Sequence, residues 1–446
     1  MKLIRILIVM LSIQATFSQE NNIARTGFFL KDTSKKFISK IQKQNTYIID
    51  HVSSLGYEVY GDETLSNWLQ GNTDVAYFEI NHNSSNKAAS SYPSPEQIEE
   101  KLFKLANENT DIFKLITIGK TKEGRDLWVM KVSDNVDIDE VEPEFKYVAN
   151  MHGDEIVGRE MMVSLLEEIA KKYKSYDKEI LNLVNNTEIY IMPSLNPDGA
   201  AKRRRGNSNW RDLNRDFPDV DRDSKQFSFS EKRDKQLETV AMMNFQSERN
   251  FSLSANFHGG TEVVNYPWDT KRADFPLLDL VRDLSRDYAA IIPSMRDNDE
   301  FTDGIVNGYK WYEINGGMQD WSYHWHNDLQ VTIELSHSKW PSYSLVPEYY
   351  NKNKRSLINY MKKVHQGIGF KLNKKTRAKA IYRRLEGGTY KDVISVDFNG
   401  TEFYKVLEPG NYQVEIATED NLSSIIYQEV SATRIFANGS YQAVQL

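Results

Sequence analysis

The sequence predicts an α/β domain with a mixed, largely parallel sheet flanked by helices, followed by a small all-β sandwich. Between Tyr92 and Gln366, short runs of β-branched and aromatic residues alternate with helical patterns. Beyond Gly369 the helical patterns stop, and short strand-like runs are separated by turn residues. A chain of 446 residues is also too long for one ordinary hydrophobic core. These observations together indicate at least two folded domains.

Composition narrows the class of protein. The chain is 40% apolar and 27% charged, which is the composition of a globular protein. Its formal net charge of −7 gives no reason to expect a nucleic-acid partner. Because the chain contains no cysteine, disulfides, cysteine nucleophiles and cysteine-zinc sites are excluded. We expect a monomer that is held together by packing alone.

The N-terminus has the pattern of a secretory signal peptide. Met1–Ser18 begins with Lys2 and Arg5, continues through the apolar run Ile6–Leu11 and ends at small residues. This apolar run is shorter than the roughly 20 residues that a membrane-spanning helix needs, and no later segment is long and apolar enough to span. We therefore expect the mature protein to be soluble, and to be secreted or periplasmic.

Residues 19–90 precede the α/β domain. Apolar residues in Phe37–Val52 follow a helical pattern, and Tyr57–Tyr60 and Val75–Ile80 have the composition of short strands. The polar run Asn81–Ser91 is typical of a linker. This extension is either a small packed unit or a removable pro-segment, and we expect nothing in it to carry chemistry. The predicted organisation is a signal peptide at 1–18, an N-terminal extension of unknown role at 19–90, the α/β domain at 91–368 and the sandwich at 369–446.

The α/β domain is predicted to open with a helix, because Ser94-Pro95-Glu96 supplies an N-cap residue and a proline at the first helical position. The later elements follow from apolar alternation in strands and four-residue apolar repeats in helices. The predicted strands are Leu115–Ile118, Leu127–Val132, Tyr147–Asn150, Glu188–Met192, Leu253–Phe257 and Val331–Leu335. The predicted helices begin at Ile156 or lie near Glu231–Phe245, Pro276–Tyr288 and Pro347–Gln366. The predicted sandwich strands are Val393–Phe398, Glu402–Val406, Tyr412–Ala417, Ile425–Val430 and Ser440–Val444, with turns at Asn399-Gly400 and Pro409-Gly410.

Candidate metal ligands lie at the ends of predicted strands. His152 and Glu155 follow one strand, and Gly153 between them permits a tight turn. Such a pair can place an imidazole and a carboxylate on one zinc ion, although the same pair also fits a solvated loop. His258 ends another apolar strand and is followed by two glycines. It is the candidate for the third protein ligand that a catalytic zinc needs.

Glu334 is the candidate general base. It lies in QVTIELS, where Val331, Ile333 and Leu335 alternate, so its carboxylate points to the opposite face of the strand. A carboxylate within an apolar strand is costly unless it is paired or takes part in chemistry. Beside a zinc-bound water it would accept a proton. The alternative is a carboxylate on a solvated face.

The stretch Asn196–Asp219, NPDGAAKRRRGNSNWRDLNRDFPD, is rich in glycine and hydrogen-bond donors. Its basic run Lys202–Arg205 has the composition of a nucleic-acid patch. A single short run in an acidic protein instead favours a loop whose guanidinium groups bind carboxylates.

Six motifs in this order resemble those of the zinc metallocarboxypeptidases. They are PEFKYVANMHGDEIVG, LNPDG, DLNRDFPD, SANFHGGTEVVNYPWD, GYKWYEINGGMQDWSY and VTIELS. The resemblance is strongest to the regulatory branch, which includes carboxypeptidases D, E, M and N, and it covers about Tyr92 to Gln366. The segment that follows, with YKVLEPGNYQVEI at Tyr404–Ile416, resembles the transthyretin-like domain of that branch. Residues 19–90 are not covered.

The resemblance implies an exopeptidase that hydrolyses the last bond of a peptide or protein, and it implies a role for each matching residue. The implied ligands of one zinc ion per chain are His152, Glu155 and His258. The other implied roles are polarisation of the scissile carbonyl by Arg205, binding of the substrate's C-terminal carboxylate by Asn214 and Arg215, closure over the substrate by Tyr312, and proton transfer by Glu334.

The resemblance also implies a specificity. Asp269, eleven residues after His258, matches the aspartate that this branch uses to recognise a C-terminal Lys or Arg, and Gln319 lines the same pocket. An unpaired carboxylate in a pocket selects cations. The alternative for Asp269 is an Asp-Thr turn.

One segment departs from the pattern of the family. Ser336, His337 and Ser338 stand where relatives often have cysteines. We therefore expect different packing there, with His337 either tuning Glu334 or, as we favour, simply packing.

Three rival functions remain. A peptidase for acidic or cell-wall-type C-termini would need a basic residue where Asp269 stands. A silent module that captures C-terminal peptides would lack the base or a ligand, whereas this chain has Glu334 and all three candidate ligands. A structural adhesion protein would account for the sandwich but not for the loop rich in donors.

Overall fold

The structure is a computed structural model that describes residues 23–44, 46–80, 92–223, 234–419, 422–433, 436 and 441–445. The predicted signal peptide and the predicted linker lie outside the described residues. Within the described part, three sheets follow one another along the chain. None of the helices in these ranges has the length and apolar character needed to cross a membrane.

The N-terminal domain, residues 23–80, is an antiparallel sheet with two short helices. Its elements are β1 (Thr26–Leu30), α1 (Ile38–Gln42), β2 (Ile48–Ser53), β3 (Gly56–Gly61), α2 (Leu65–Asn72) and β4 (Tyr77–Glu79), with the strands in the order β2-β3-β1-β4. Leu30, Val59 and Leu65 are fully buried in a core that belongs mainly to this domain. The predicted helical pattern over Phe37–Val52 is wrong in its second half, because β2 pairs with β3 as a strand.

The α/β domain contains an eight-stranded mixed sheet. Its strands are β5 (Phe113–Lys120), β6 (Asp126–Val132), β7 (Glu144–Ala149), β8 (Glu188–Met192), β9 (Phe251–His258), β10 (Glu262–Tyr266), β11 (Ile305–Asn307) and β12 (Leu329–Leu335). Their order is β11-β10-β12-β9-β7-β8-β6-β5, and the central strands β12, β9, β7 and β8 are parallel. Helices cover the sheet, so the predicted fold class is confirmed.

Ten helices, counted in the described residues, surround this sheet. They are α3 (Pro95–Glu108), α4 (Val157–Lys174), α5 (Lys178–Val184), α6 (Pro197–Ala201), α7 (Leu237–Ser247), α8 (Leu278–Ala289), α9 (Pro293–Arg296), α10 (Gly308–Trp311), α11 (Met318–His326) and α12 (Val346–Lys362). Met161, Leu165 and Ile169 of α4 are buried at the predicted four-residue spacing. Because both faces of the central strands are covered, β7, β8, β9 and β12 are buried along their whole lengths.

The C-terminal domain is the predicted small β unit. Its strands are β13 (Gly367–Glu386), β14 (Thr389–Val406), β15 (Gly410–Thr418), β16 (Ser423–Val430) and β17 (Tyr441–Val444). The predicted turn at Asn399-Gly400 is wrong, because β14 runs through both residues and pairs there with Thr376 and Arg377. The hairpin turn lies instead at Gly387-Gly388, where both residues have positive φ values of 57° and 83°.

Candidate metal centre and substrate site

Two neighbouring parallel strands bring the three candidate ligands together. His152 follows β7, His258 is the last residue of β9, and these strands pair side by side. The Nδ1 atoms of the two imidazoles are 3.0 Å apart. Glu155 Oε2 lies 3.0 Å from the Nδ1 of His152 and 2.9 Å from the Nδ1 of His258. All three side chains are buried, so the three atoms face one another away from solvent.

This donor set fits a zinc ion. Ligand atoms about 2.1 Å from a tetrahedral ion lie about 3.4 Å from one another, which is close to the observed separations. The other ring nitrogen of His152, Nε2, lies 3.0 Å from Asp212 Oδ1. A carboxylate in that position fixes the tautomer and orientation of a metal-binding imidazole. Two imidazoles and one carboxylate leave room for a water or a substrate oxygen, as catalytic zinc sites do.

Glu334 lies beside this centre. β12 runs parallel to β9 with Glu334 opposite His258, which places the carboxylate at the same edge of the sheet. The side chain is buried, and its Oε2 atom has no hydrogen-bond partner among the described residues. A buried oxygen without a partner costs free energy, and an available oxygen is what a general base must provide.

Arg205 approaches the centre from the loop after α6. Its side chain is 1% exposed, and its Nε donates to Asp212 Oδ2 at 2.8 Å, while one Nη donates to Glu155 Oε1 at 3.3 Å. Burial opposes its charge, but Asp212, Asp50 and Glu155 hold the pKa of Arg205 well above its usual value. The guanidinium therefore stays charged beside the candidate ligands.

Asn214 and Arg215 follow in a short turn, Leu213–Arg215, that Asp212 caps. The Asp212 Oδ1 atom accepts from the Asn214 backbone N–H at 2.8 Å. The Asn214 Oδ1 atom accepts from the Met318 N–H at 3.0 Å, which ties the turn to α11. Arg215 Nη2 donates to the backbone oxygen of Ile49 at 3.0 Å.

The predicted specificity residues Asp269 and Gln319 are both buried and meet next to Gly308. Gln319 Nε2 and Asn265 Nδ2 donate to Asp269 Oδ1 at 3.1 and 3.0 Å. A Cβ atom on Gly308 would come within 1.7 Å of that oxygen, so only glycine leaves space for it. Burial first, and then the neighbouring Asp320, raise the pKa of Asp269 well above its usual range.

Tyr312 is held in an inward position. Its side chain is buried, and its hydroxyl donates to Asp50 Oδ1 at 3.0 Å. Asp50 also pairs with Arg205 through a charge-assisted hydrogen bond. His51 Nε2 lies 3.8 Å from both Glu155 Oε1 and Glu334 Oε2. Asp50 and His51 of β2 therefore lie against the candidate site, although they belong to the extension that we expected to carry no chemistry.

The segment after β12 differs from its prediction. His337 is exposed, which disagrees with the favoured interpretation that it simply packs. Ser336 is buried, and its hydroxyl donates to the Ser338 backbone oxygen at 2.8 Å. This local hydrogen bond closes the turn that follows the strand of Glu334.

Two supporting carboxylates are absent from the predicted site. Asp212 binds both His152 and Arg205, and Asp320 accepts the backbone N–H groups of Asp269 and Thr270 at 2.9 to 3.0 Å. Asp212 lies in the motif DLNRDFPD, and Asp320 directly follows Gln319. The sequence showed only that each carboxylate lies within two residues of an assigned residue, and the fold shows which groups the carboxylates orient.

Comparisons with known proteins assign the fold. The sequence matches the zinc carboxypeptidase family over residues 98–356. Among solved structures, carboxypeptidase A from Helicoverpa armigera gives a TM-score of 0.59 over 78% of this chain and 98% of that chain, at 16% identity. Thrombin activatable fibrinolysis inhibitor gives a TM-score of 0.57 over 76% of this chain and 98% of that chain, also at 16% identity. These structures share the fold, and the chain belongs to the zinc carboxypeptidase family.

Curated relatives identify the branch. Human carboxypeptidase D is 38% identical over 340 residues, which are 70% of this chain and 24% of that protein. Mouse carboxypeptidase M is 37% identical over 351 residues, which are 73% of this chain and 77% of that protein. The predicted resemblance to the regulatory branch is thereby confirmed. The chain spans about a quarter of the length of the carboxypeptidase D relatives.

Proposed function

We propose that this protein is an exported, zinc-dependent carboxypeptidase that releases Lys or Arg from the C-termini of peptides or proteins. One observation carries the proposal. The ligand atoms of His152, Glu155 and His258 lie within about 3 Å of one another, with Glu334 at the same edge of the sheet and the buried Arg205 donating to Glu155. Membership of the zinc carboxypeptidase family supports the same chemistry. The sequence pattern of Met1–Ser18 supports export.

The proposed ligands of one zinc ion are His152, Glu155 and His258. When bound there, zinc supplies a Lewis acid that polarises a carbonyl and acidifies a water. Glu334 takes the proton from the attacking water and passes it to the departing amine. Arg205 donates to the carbonyl oxygen as negative charge develops on it.

We assign recognition of the substrate's C-terminus to the turn Leu213–Arg215, which Asp212 caps. Asn214 and Arg215 bind the terminal carboxylate, because a guanidinium and an amide side by side match its two oxygens. Tyr312 closes over the substrate. A substrate without a free carboxylate would leave buried donors without partners, so internal bonds are rejected.

Asp269 is the proposed selector of the terminal side chain. Burial and the neighbouring Asp320 raise its pKa, and a bound ammonium or guanidinium would favour the ionised form. Gln319 and Asn265 orient the carboxylate. Phe and Glu side chains would leave this group desolvated and unpaired.

The test compares peptides that differ only in their last residue, which is Arg, Lys, Phe or Glu. The assay uses the wild-type chain and a variant with Asp50→Ala and His51→Ala, because these two residues contact the site. We expect Arg and Lys to be released at least about 100-fold faster than Phe or Glu. Asp269→Ala should remove most of this preference, whereas Asp279→Ala, at an exposed position of α8, should preserve it.

Release of Phe ahead of Arg, or an Arg preference that survives Asp269→Ala, would contradict the specificity. Failure of every form to shorten any of the peptides by one residue would contradict the activity itself.

A further inference from the structure

The fold holds the three candidate metal ligands in two different ways. His258 is the last residue of β9, and β9 pairs with β7 on one side and with β12 on the other, so the sheet fixes its backbone. His152 and Glu155 instead lie in the loop between β7 and α4, which has no regular secondary structure. A metal centre needs its ligands held to within a fraction of an ångström. Contacts other than the sheet must therefore hold this loop.

Asn150 is a side chain that spans the loop. It directly follows β7 and is fully buried. Its Nδ2 atom donates to the backbone oxygen of His152 at 2.9 Å and to the backbone oxygen of Glu155 at 3.2 Å. One amide group thus joins the backbones of two candidate ligands.

The Asn150 amide is itself held in one orientation. The Ser194 hydroxyl donates to Asn150 Oδ1 at 2.8 Å, which identifies the oxygen end and leaves both N–H groups for the loop. The backbone oxygen of Asn150 accepts from the Asn196 N–H at 3.1 Å. A buried amide that turned away would leave several polar groups without partners, so this arrangement is well defined.

The backbone of Asn150 also suits asparagine. Its φ of 55° lies in the left-handed region, which asparagine, aspartate and glycine adopt more readily than other residues. In this conformation the side chain of a residue at the end of a strand reaches carbonyl groups two and five residues further on. Glycine or aspartate would keep the conformation, but neither would supply the two donors.

The opposite side of the loop packs against α6. A Cβ atom on Gly153 would come within 2.2 Å of the Gly199 backbone, and the Gly153 N–H donates to the Arg205 backbone oxygen at 3.2 Å. These contacts do not involve the Asn150 side chain. Loss of the amide should therefore loosen the two ligands while the loop keeps its place in the fold.

We propose that Asn150 is a positioning residue of the metal centre, whose amide holds the backbones of His152 and Glu155 so that both side chains are preorganised for one ion. The inference rests on the proposed function, which assigns these residues to zinc. Without the amide, the loop would have to be ordered when the ion binds, and this cost lowers affinity. Groups that orient metal ligands typically contribute about 10- to 100-fold to metal affinity.

The experiment measures the Kd of the full chain for zinc by competition with a zinc-binding dye. Asn150→Gly removes the amide without straining the backbone. Asn150→Asp keeps the shape of the side chain and replaces the donor by a second acceptor. We expect each variant to raise the Kd for zinc at least about tenfold.

Asn353→Asp is the matched control. Asn353 is also fully buried, its Nδ2 donates to the Tyr349 backbone oxygen at 3.0 Å, and its Oδ1 accepts from the Tyr288 hydroxyl at 3.0 Å. The same substitution therefore removes a similar set of hydrogen bonds from α12, outside the metal centre. Its Kd for zinc should stay within about twofold of the wild type.

A second readout reports the geometry of the centre rather than its affinity. The visible absorption of the protein loaded with Co²⁺ depends on the arrangement of the ligands around the ion. Asn150→Gly should change the position or the intensity of these bands, whereas Asn353→Asp should match the wild type. Circular dichroism of the metal-free proteins checks that each variant is folded.

The outcomes separate this inference from the proposed function. If both Asn150 variants match the wild type in zinc affinity and in the Co²⁺ spectrum while peptides are still shortened, the positioning role is wrong and the carboxypeptidase function stands. If the variants bind zinc more weakly but no form shortens a peptide, the function is wrong and the positioning role is supported.

Two further results would overturn the positioning role. Loss of the folded state in both metal-free Asn150 variants would assign the residue to the stability of the fold instead of to the metal centre. Failure of the wild type to bind zinc would overturn the positioning role and the proposed function together.

Discussion

The two domains that flank the α/β domain contact it in opposite ways. The C-terminal strands share one continuous apolar core with it, in which Phe370 and Tyr404 belong to the same cluster as Phe145 and Leu253. The N-terminal domain has a separate apolar cluster, which takes in Tyr312 and Ile314 of the catalytic side. Its deepest contacts are charged or polar, and they involve the proposed catalytic groups.

This difference shows which contacts between domains can be replaced by contacts with water or with another ligand. Removing the C-terminal domain would expose apolar surface, and nothing in water replaces the burial that is lost. Removing Asp50 from Arg205 leaves a guanidinium that another carboxylate can bind. The C-terminal domain is therefore expected to unfold together with the α/β domain, whereas the N-terminal domain, with its separate apolar cluster, is expected to contribute less to that unfolding transition.

The largest expected difference concerns core truncation. Phe370 is fully buried in the shared cluster, so Phe370→Ala should lower the free energy of unfolding of the catalytic and C-terminal domains together by about 3 to 5 kcal/mol. Denaturant unfolding, followed by fluorescence and by far-ultraviolet circular dichroism, measures this effect.

The matched control is Leu30→Ala, which removes an equally buried side chain from the N-terminal core. It should lower the free energy of unfolding of the N-terminal domain and shift the main unfolding transition less than Phe370→Ala does. A main transition shifted equally by both variants would show that the N-terminal domain is a permanent part of the same cooperative unit.

A smaller expected effect is a loss of stability at low pH where the α/β domain meets the C-terminal domain. Burial lowers the pKa of His365 to about 3, and its ring packs against Phe436 of the C-terminal domain. The unfolded chain binds a proton near pH 6.5 and the folded chain does not, so this stability is present above pH 6.5 and is lost as pH falls toward 3. Between pH 6.5 and pH 5 the loss should be about 2 kcal/mol.

Chemical denaturation of the wild type and His365→Gln at these two pH values checks this expectation. The variant should lose less stability than the wild type over the same interval. Equal losses in both proteins would assign the acid sensitivity to other groups.

Much of the fold follows from local patterns. The central strands have apolar runs bounded by turn residues, and the four-residue repeat of α4 is regular, so the predicted elements there agree with the structure. The candidate ligands could be predicted because His152 and His258 each follow such a strand, and parallel strands end at one edge of a sheet.

Other features depend on pairing that local sequence does not encode. Ile48–Ser53 has apolar residues that fit a helix, yet β3 provides hydrogen bonds that only a strand can use. Asn399-Gly400 has turn residues, but β13 continues opposite it after a bulge. The sequence did not indicate that Asp50 and His51 lie beside the candidate site, because their partners, Arg205 and Glu334, are more than 150 residues away in sequence.

The central claim is that the chain is a zinc-dependent carboxypeptidase, and the metal dependence of peptide cleavage tests it most directly. Release of Arg from a peptide is followed by mass spectrometry, with the Asp50→Ala and His51→Ala exchanges in place, before and after removal of metal by a chelator and re-addition of zinc. The account predicts loss of a single C-terminal residue, abolition by the chelator, recovery with zinc, and a decrease of about 10³-fold in kcat for Glu334→Gln at unchanged zinc content. Activity that persists without metal, or that survives Glu334→Gln, would contradict it.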